Sequence, residues 1–228
     1  MNNSVADHDT GISLVEQVYR KIKNSILSNE YSPGYQALEP EIAKDLGVSR
    51  TPVREALIRL EAEKLIELIP RRGMRVLPLL PTDIIEINNV LTGLELTAVE
   101  ALASRKPSKD VLQPMLSALD EMDAAIVEGN LSVWADADET FHRLLVALSG
   151  NRRLAGLLDT VRAQVSRARK ITLKLRNNLR NSNVAHRALY EQLLAGDVEE
   201  AKAVHYAHRK NVTEEITKIL ETYQFPHL

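Results

Sequence analysis

The sequence predicts a mainly α-helical protein, a small N-terminal winged helix-turn-helix followed by a C-terminal all-α bundle of about six helices. Three observations carry that expectation. Two short apolar stripes at helical period are separated by a tight glycine turn. The period then becomes strand-like at Leu65. From Asp83 to about Tyr223 every segment again reads as helix.

Residues 1–12 read as a disordered arm. Ser13-Leu14-Val15-Glu16 has capping-box spacing, and Val15, Val18, Ile22 and Ile26 follow on one stripe, so a first helix should run to about Asn29. Tyr31-Ser32-Pro33-Gly34 is a turn. Glu39-Pro40 opens a short helix with proline where its missing N–H does no harm, and Gly47 ends it. Ser49 then caps a third helix with Val53, Ala56, Leu57 and Leu60 on one face. Leu65–Ile69 and Met74–Leu77 flank Pro70-Arg71-Arg72-Gly73 as a hairpin, the wing. The winged domain therefore covers 13–79. A linker marked by Pro78, Pro81 and Thr82 covers 80–82, and the bundle covers 83–228. Its breaks are expected near Pro107-Ser108, Gly129-Asn130, Gly150-Asn151, Asn177 to Asn183 and Gly196-Asp197.

A chain of 228 residues has room for two cores. With no cysteine, disulfides and thiolate metal sites are excluded. No apolar run approaches the roughly 20 residues that span a bilayer, and the N-terminus is polar and acidic, unlike a secretion signal. The expectation is a cytoplasmic protein with no membrane role. Residues 13–79 carry 11 Lys/Arg against 9 Asp/Glu, and the remainder from Leu80 carries 18 against 20. That balance permits nucleic-acid binding without arguing for it.

Gly47-Val48-Ser49-Arg50-Thr51-Pro52-Val53-Arg54-Glu55-Ala56-Leu57, preceded by Glu39 to Leu46, resembles the DNA-binding domain of the GntR family. The resemblance implies a recognition helix in the major groove, with Ser49, Arg50, Thr51 and Arg54 on phosphates or base edges. The physics agrees: a helix N-terminus offers N–H groups to phosphate, and an arginine one turn in can fork onto guanine. At the wing tip, Arg71 and Arg72 suit the minor groove or its phosphates, and Gly73 permits close backbone approach. Two positions depart from the family. Pro40 replaces an arginine that some members aim at the DNA backbone, and Lys64 replaces a glycine, which puts a side chain into that turn.

Residues 82–222 resemble the FCD effector domain of the FadR-like branch of that family. The resemblance implies a ligand set for one divalent ion: Asp138, His142, His186 and His208. Asp138 and His142, four apart, share a helix face. One carboxylate and three imidazoles suit zinc, nickel, iron or manganese without choosing among them. Open coordination positions would take a carboxylate-bearing effector, so the expected small-molecule partner is an organic acid. His205, three residues before His208, is placed outside the ligand set.

Arg162, Arg169 and Arg176, seven apart in a basic stretch, are candidate pocket cations, with Glu95 a further candidate. Leu91 stands four residues before Glu95 where many family members carry an arginine, so a charged effector would need another cation. A homodimer on a palindromic operator is expected, because one recognition helix reads only a few base pairs. The alternatives are a metalloenzyme with an accessory DNA-binding domain, and a regulator whose metal is purely structural. No general base, phosphate loop or nucleophile motif accompanies the ligand set.

Overall fold

The structure, a computed structural model, describes residues 12–78 and 80–223. Most of the expected arm, with His8, and also His227 lie outside the described residues. The chain forms two compact units that divide between Leu77 and Pro78.

The first unit consists of α1 (Leu14–Leu27), β1 (Gln36–Ala37), α2 (Glu39–Leu46), α3 (Arg50–Ala62), β2 (Ile66–Ile69) and β3 (Gly73–Val76). Ser13 caps α1, its Oγ accepting from Glu16 N at 3.2 Å. The capping box closes only halfway, because the Glu16 carboxylate instead takes Arg20 at 2.7 Å and Arg59 at 2.8 Å. Glu41 caps α2 by accepting from Leu38 N at 2.8 Å, and Gly47 ends it at φ 67°. Ser49 occupies the cap position of α3, yet its side chain makes no capping bond.

The apolar stripes meet as one core: Val18, Ile22 and Ile26 of α1, Ile42 of α2, Val53, Leu57 and Leu60 of α3, and Ile66, Met74 and Val76 of the strands are all buried. Each such side chain contributes about 1.5–3 kcal/mol.

The sheet runs β1-β3-β2, antiparallel throughout, with Leu68 opposite Met74 and Gln36 opposite Arg75. The sequence gives no sign of β1, a two-residue strand that exists only because β3 offers it an edge. Lys64 does adopt the left-handed conformation, at φ 58°. Gly73 has φ 79°, and a Cβ there would lie 2.1 Å from the Ala37 carbonyl oxygen. Its glycine is therefore required by the protein's own β1, whatever approaches the wing from outside.

The second unit comprises α4 (Pro81–Ala103), α5 (Lys109–Glu128), α6 (Leu131–Leu148), α7 (Arg152–Thr172), a 3-10 turn (Leu173–Leu175), α8 (Leu179–Ala195) and α9 (Val198–Tyr223). Pro81 and Thr82, read as linker, are the first residues of α4, where Asp83 accepts from Leu80 N at 2.9 Å. Ser108, Asn130 and Asn151 cap α5, α6 and α7, and Gly129 and Gly196 end α5 and α8 in the left-handed conformation.

The break expected over Asn177 to Asn183 closes sooner, with α8 starting at Leu179. Asn183 is used inside the bundle: its Oδ1 accepts from Trp134 Nε1 at 2.9 Å and its amide donates to Asp123 at 2.6 Å. The main core gathers Leu102, Met115, Leu119, Phe141, Leu145, Leu158, Leu189 and Leu193. No described helix is long and apolar enough to cross a membrane.

Gly73→Ala should destabilise the first unit by about 2 kcal/mol or more, since the opposing atom is backbone and cannot rotate away. Urea unfolding followed by circular dichroism checks this, and an unchanged midpoint would contradict the β1–β3 packing.

Candidate metal centre and nucleic-acid face

Each of three helices carries polar residues at positions where its stripe demands burial. In α6 the inward face reads Trp134, Ala137, Asp138, Phe141, His142 and Leu145. In α8, His186 lies between Ser182 and Leu189, and in α9 the buried series is Ala201, His205, His208, Arg209 and Val212. Packing α6, α8 and α9 together therefore brings their polar residues to one place.

Asp138, His142, His186 and His208 are all buried there, with Asp138 4% and His142 and His186 1% exposed. His142 Nε2 and His186 Nε2 are 3.2 Å apart, and Asp138 Oδ1 lies 3.9 Å from the first and 3.7 Å from the second. Ligand atoms of His142, His186 and His208 all lie within 4.8 Å of one another. Metal–nitrogen bonds of about 2.0–2.1 Å place two tetrahedral ligands roughly 3.3 Å apart, so the three imidazoles fit a divalent ion, with Asp138 Oδ1 beside two of them.

Charged groups hold the set from outside. Arg169 Nη1 donates to Asp138 Oδ2 at 2.9 Å, which leaves Oδ1 facing the imidazoles. Burial alone would raise the Asp138 carboxyl, but Arg169 and then the imidazoles bring it down to about 2. Burial pushes His186 down to about 3 and His208 well below its ordinary value, so both are neutral and have a lone pair to offer. Arg162 Nη2 donates to the His142 carbonyl at 2.8 Å. Arg176, beyond the end of α7, turns to other partners: Glu215 at 2.9 Å, Ser182 at 3.3 Å and the Trp134 ring.

Two cavities reach this cluster. One of about 110 Å³ is lined by Trp134, Asp138, Glu139, Ser166 and Arg169, among others. A larger open one of about 790 Å³ lies along α8 and α9, where His208 meets Asn178, Ser182, Asn211 and Lys218. Glu95 is on the wall of neither. It lies behind His142, with Oε1 3.2 Å from His142 Nδ1 and Oε2 3.0 Å from His205 Nε2. Arg209 Nε is 3.5 Å from the same Oε2, and its Nη2 donates to Asn88 at 2.6 Å. Sequence reasoning missed Arg209 and Asn88. The signal for Arg209 was available in the stripe of α9, where it follows His205 by four residues as His205 follows Ala201. Leu91, where an arginine was noted as absent, joins the apolar core.

On the first unit, Ser49, Arg50, Thr51, Arg54, Arg71 and Arg72 are exposed, and among the described residues none of these arginines forms an ion pair. Arg59 and Arg75 differ. Arg59 pairs with Glu16 and covers the Tyr19 ring at 3.8 Å, and Arg75 pairs with Glu67.

Comparison with known proteins places both units in known families. The family model described as bacterial regulatory proteins, gntR family, matches residues 14–76, and the FCD domain model matches residues 86–211. The HTH-type transcriptional regulator YdhC of Bacillus subtilis is 30% identical over 206 residues, covering 90% of this chain and 92% of its own. A regulator from the TAR-I ttuE-ttuC' intergenic region of Agrobacterium vitis is 44% identical over 135 residues, 58% of this chain and 79% of that one. McbR/YncC of E. coli shares the fold, with a TM-score of 0.76 at 23% identity over 93% of this chain and 99% of that one. The metal-free FCD domain of TM0439 has a TM-score of 0.54 at 25% identity over 64% of this chain and 99% of that one.

Arg169→Ala, measured in chelator, should cost about 3–5 kcal/mol of unfolding free energy by leaving Asp138 without its partner in a buried site. Arg187→Ala, which breaks the exposed pairs with Asp120 and Asp123, should cost about 1 kcal/mol or less. Equal losses in the two variants would contradict the assigned weight of the Asp138–Arg169 pair.

Proposed function

Because the chain belongs to the gntR family of bacterial regulatory proteins and carries an FCD domain, it is a transcriptional regulator rather than an enzyme, and we propose that it works as a metal-dependent, effector-controlled dimer on a palindromic operator. The observation that carries the effector half is the convergence of His142, His186 and His208 from three helices, with buried Asp138 Oδ1 beside the first two.

In the DNA-binding half, the N-terminus of α3 presents backbone N–H groups to phosphate, together with the Ser49 hydroxyl, which makes no capping bond. Arg54, one turn further along and without an ion pair among the described residues, is the residue for a guanine edge, with Arg50 and Thr51 beside it. Arg71 and Arg72 reach the backbone or minor groove from the wing, where Gly73 allows the turn.

In the bundle, Asp138 Oδ1 and the nitrogens of His142, His186 and His208 would hold one divalent transition ion. A bound ion would supply open coordination positions for a carboxylate oxygen. Arg169 keeps Asp138 ionised and oriented, Arg162 fixes the backbone of α6 at His142, and both bring positive charge toward an organic acid. The smaller cavity, about 110 Å³ and bordered by Asp138 and Arg169, favours a compact acid.

The test uses full-length protein. Native mass spectrometry should give a dimer with one metal ion per chain. The single tryptophan, Trp134, borders the smaller cavity with Asp138, so Co(II) should quench its fluorescence and saturate at one equivalent. His186→Ala should remove both metal content and quenching, and full occupancy in that variant would exclude the site. Gel shifts with the protein's own upstream DNA, titrated with mono-, di- and tricarboxylates, should show metal-dependent release. Release that persists in metal-free protein would make the ion structural.

Arg54→Ala should weaken operator binding by about 1–3 kcal/mol with loss of discrimination at one base pair. Arg72→Ala should lower affinity more evenly across sequences, as read by competition with mutated operators.

A further inference from the structure

Outside the proposed ligand set lies a second fully buried layer to which the regulator reading gives no role, formed by Asn88 and Glu95 on α4 and by His205 and Arg209 on α9. We infer that Glu95 is the positioning residue for His142, taking the proton of Nδ1 as a hydrogen-bond acceptor so that Nε2 is the ring atom offered to the metal. The inference rests on the metal site proposed above.

The two nitrogens of His142 face opposite ways. Nε2 points at His186 Nε2 (3.2 Å) and Asp138 Oδ1 (3.9 Å). Nδ1 is buried with no aligned hydrogen bond, and Glu95 Oε1 lies within its reach at 3.2 Å. The other carboxylate oxygen is already served, by His205 Nε2 at 3.0 Å and by Arg209 Nε at 3.5 Å. A buried carboxylate requires donors on both oxygens, and His142 Nδ1–H is the donor placed for Oε1. Metal-bound imidazoles generally give their second N–H to a carboxylate or carbonyl, which fixes the tautomer and strengthens the ligand.

Glu95 is itself braced. Arg209 holds it from α9 and is tied back through Asn88, whose amide donates to the Ile84 carbonyl at 2.9 Å.

The same atoms suggest a rival. Glu95, His142 and His205 place ligand atoms within 4.8 Å of one another and could hold a second ion. Charge argues against it. The Arg209 guanidinium is already the counter-ion at 3.5 Å, and a divalent cation at the same carboxylate would meet it without solvent screening. His142 would also have to surrender protons from both nitrogens to serve two ions at once.

Glu95→Gln in the full-length dimer provides the test. Because losing the carboxylate alone leaves Arg209 as an uncompensated buried cation, Glu95→Gln/Arg209→Met serves as the companion variant. Co(II) affinity, from competition with a chelator, should fall about 10–100-fold in both while stoichiometry stays at one per chain. Imidazole ¹⁵N spectra of metal-free protein should show Nδ1-protonated His142 in the parent and a mixture of tautomers in the variants. Unchanged affinity with an unchanged His142 signature overturns the assignment. Two Co(II) per parent chain, falling to one in the variants, replaces it with a second ion. A parent that binds no Co(II) fails the metal reading itself, whereas the ¹⁵N spectra of metal-free protein still decide whether Glu95 holds His142.

Discussion

Two carboxylates, Glu95 and Asp138, are buried in the middle of the helical bundle, and neither could stay ionised there without an opposing charge within a few ångströms. Each has its own arginine: Asp138 has Arg169 from α7, and Glu95 has Arg209 from α9. The imidazoles of His142, His186, His205 and His208 fill the space between the two pairs, with the His186 and His208 rings 4.4 Å apart and those of His142 and His186 5.0 Å apart. This polar centre is expensive to bury, and the apolar core of Phe141, Leu145, Leu189 and their neighbours surrounds it. A bundle built for stability alone would put aliphatic side chains there. The ion we propose for this centre would account for the arrangement.

The first unit treats its arginines in the opposite way, by position rather than by pairing. Those that brace helices and strands, Arg59 on α3 and Arg75 on β3, are matched to Glu16 and Glu67. Arg50, Arg54, Arg71 and Arg72 face solvent. An arginine committed to a carboxylate has its fork occupied, so only the uncommitted ones are free to contact a polyanion without first breaking a bond. The near-neutral charge count of this region therefore hides a separation among the described residues, with paired charge holding the elements together and unpaired charge on α3 and the wing.

Helix α4 links these observations along the chain. It starts at Pro81, four residues after Leu77 closes the first unit, and it carries Asn88 and Glu95 into the polar centre. Both His142 and Arg209 contact its side chains, through Glu95 and Asn88.

The sequence by itself determined the helical stripes, their glycine and asparagine punctuation and the hairpin after Leu65, and its resemblance to the GntR and FCD patterns named the residues expected in both functional sets. These features are local: a stripe needs only period 3.6, a cap only one side chain, and the GntR and FCD patterns only residue order. Tertiary structure alone decided what depends on a distant partner. Strand β1 forms because β3 offers an edge, and Gly73 is glycine because the Ala37 carbonyl stands where a Cβ would be. Glu95, expected among the pocket groups, lies behind His142, because α4 and α9 pack so that residues 110 apart in sequence come within hydrogen-bonding distance. His205 and Arg209 were visible as polar interruptions in the buried stripe of α9. Which carboxylate they would serve could be read only once α4 lay against them, since periodicity fixes which face a residue occupies and says nothing about what faces it.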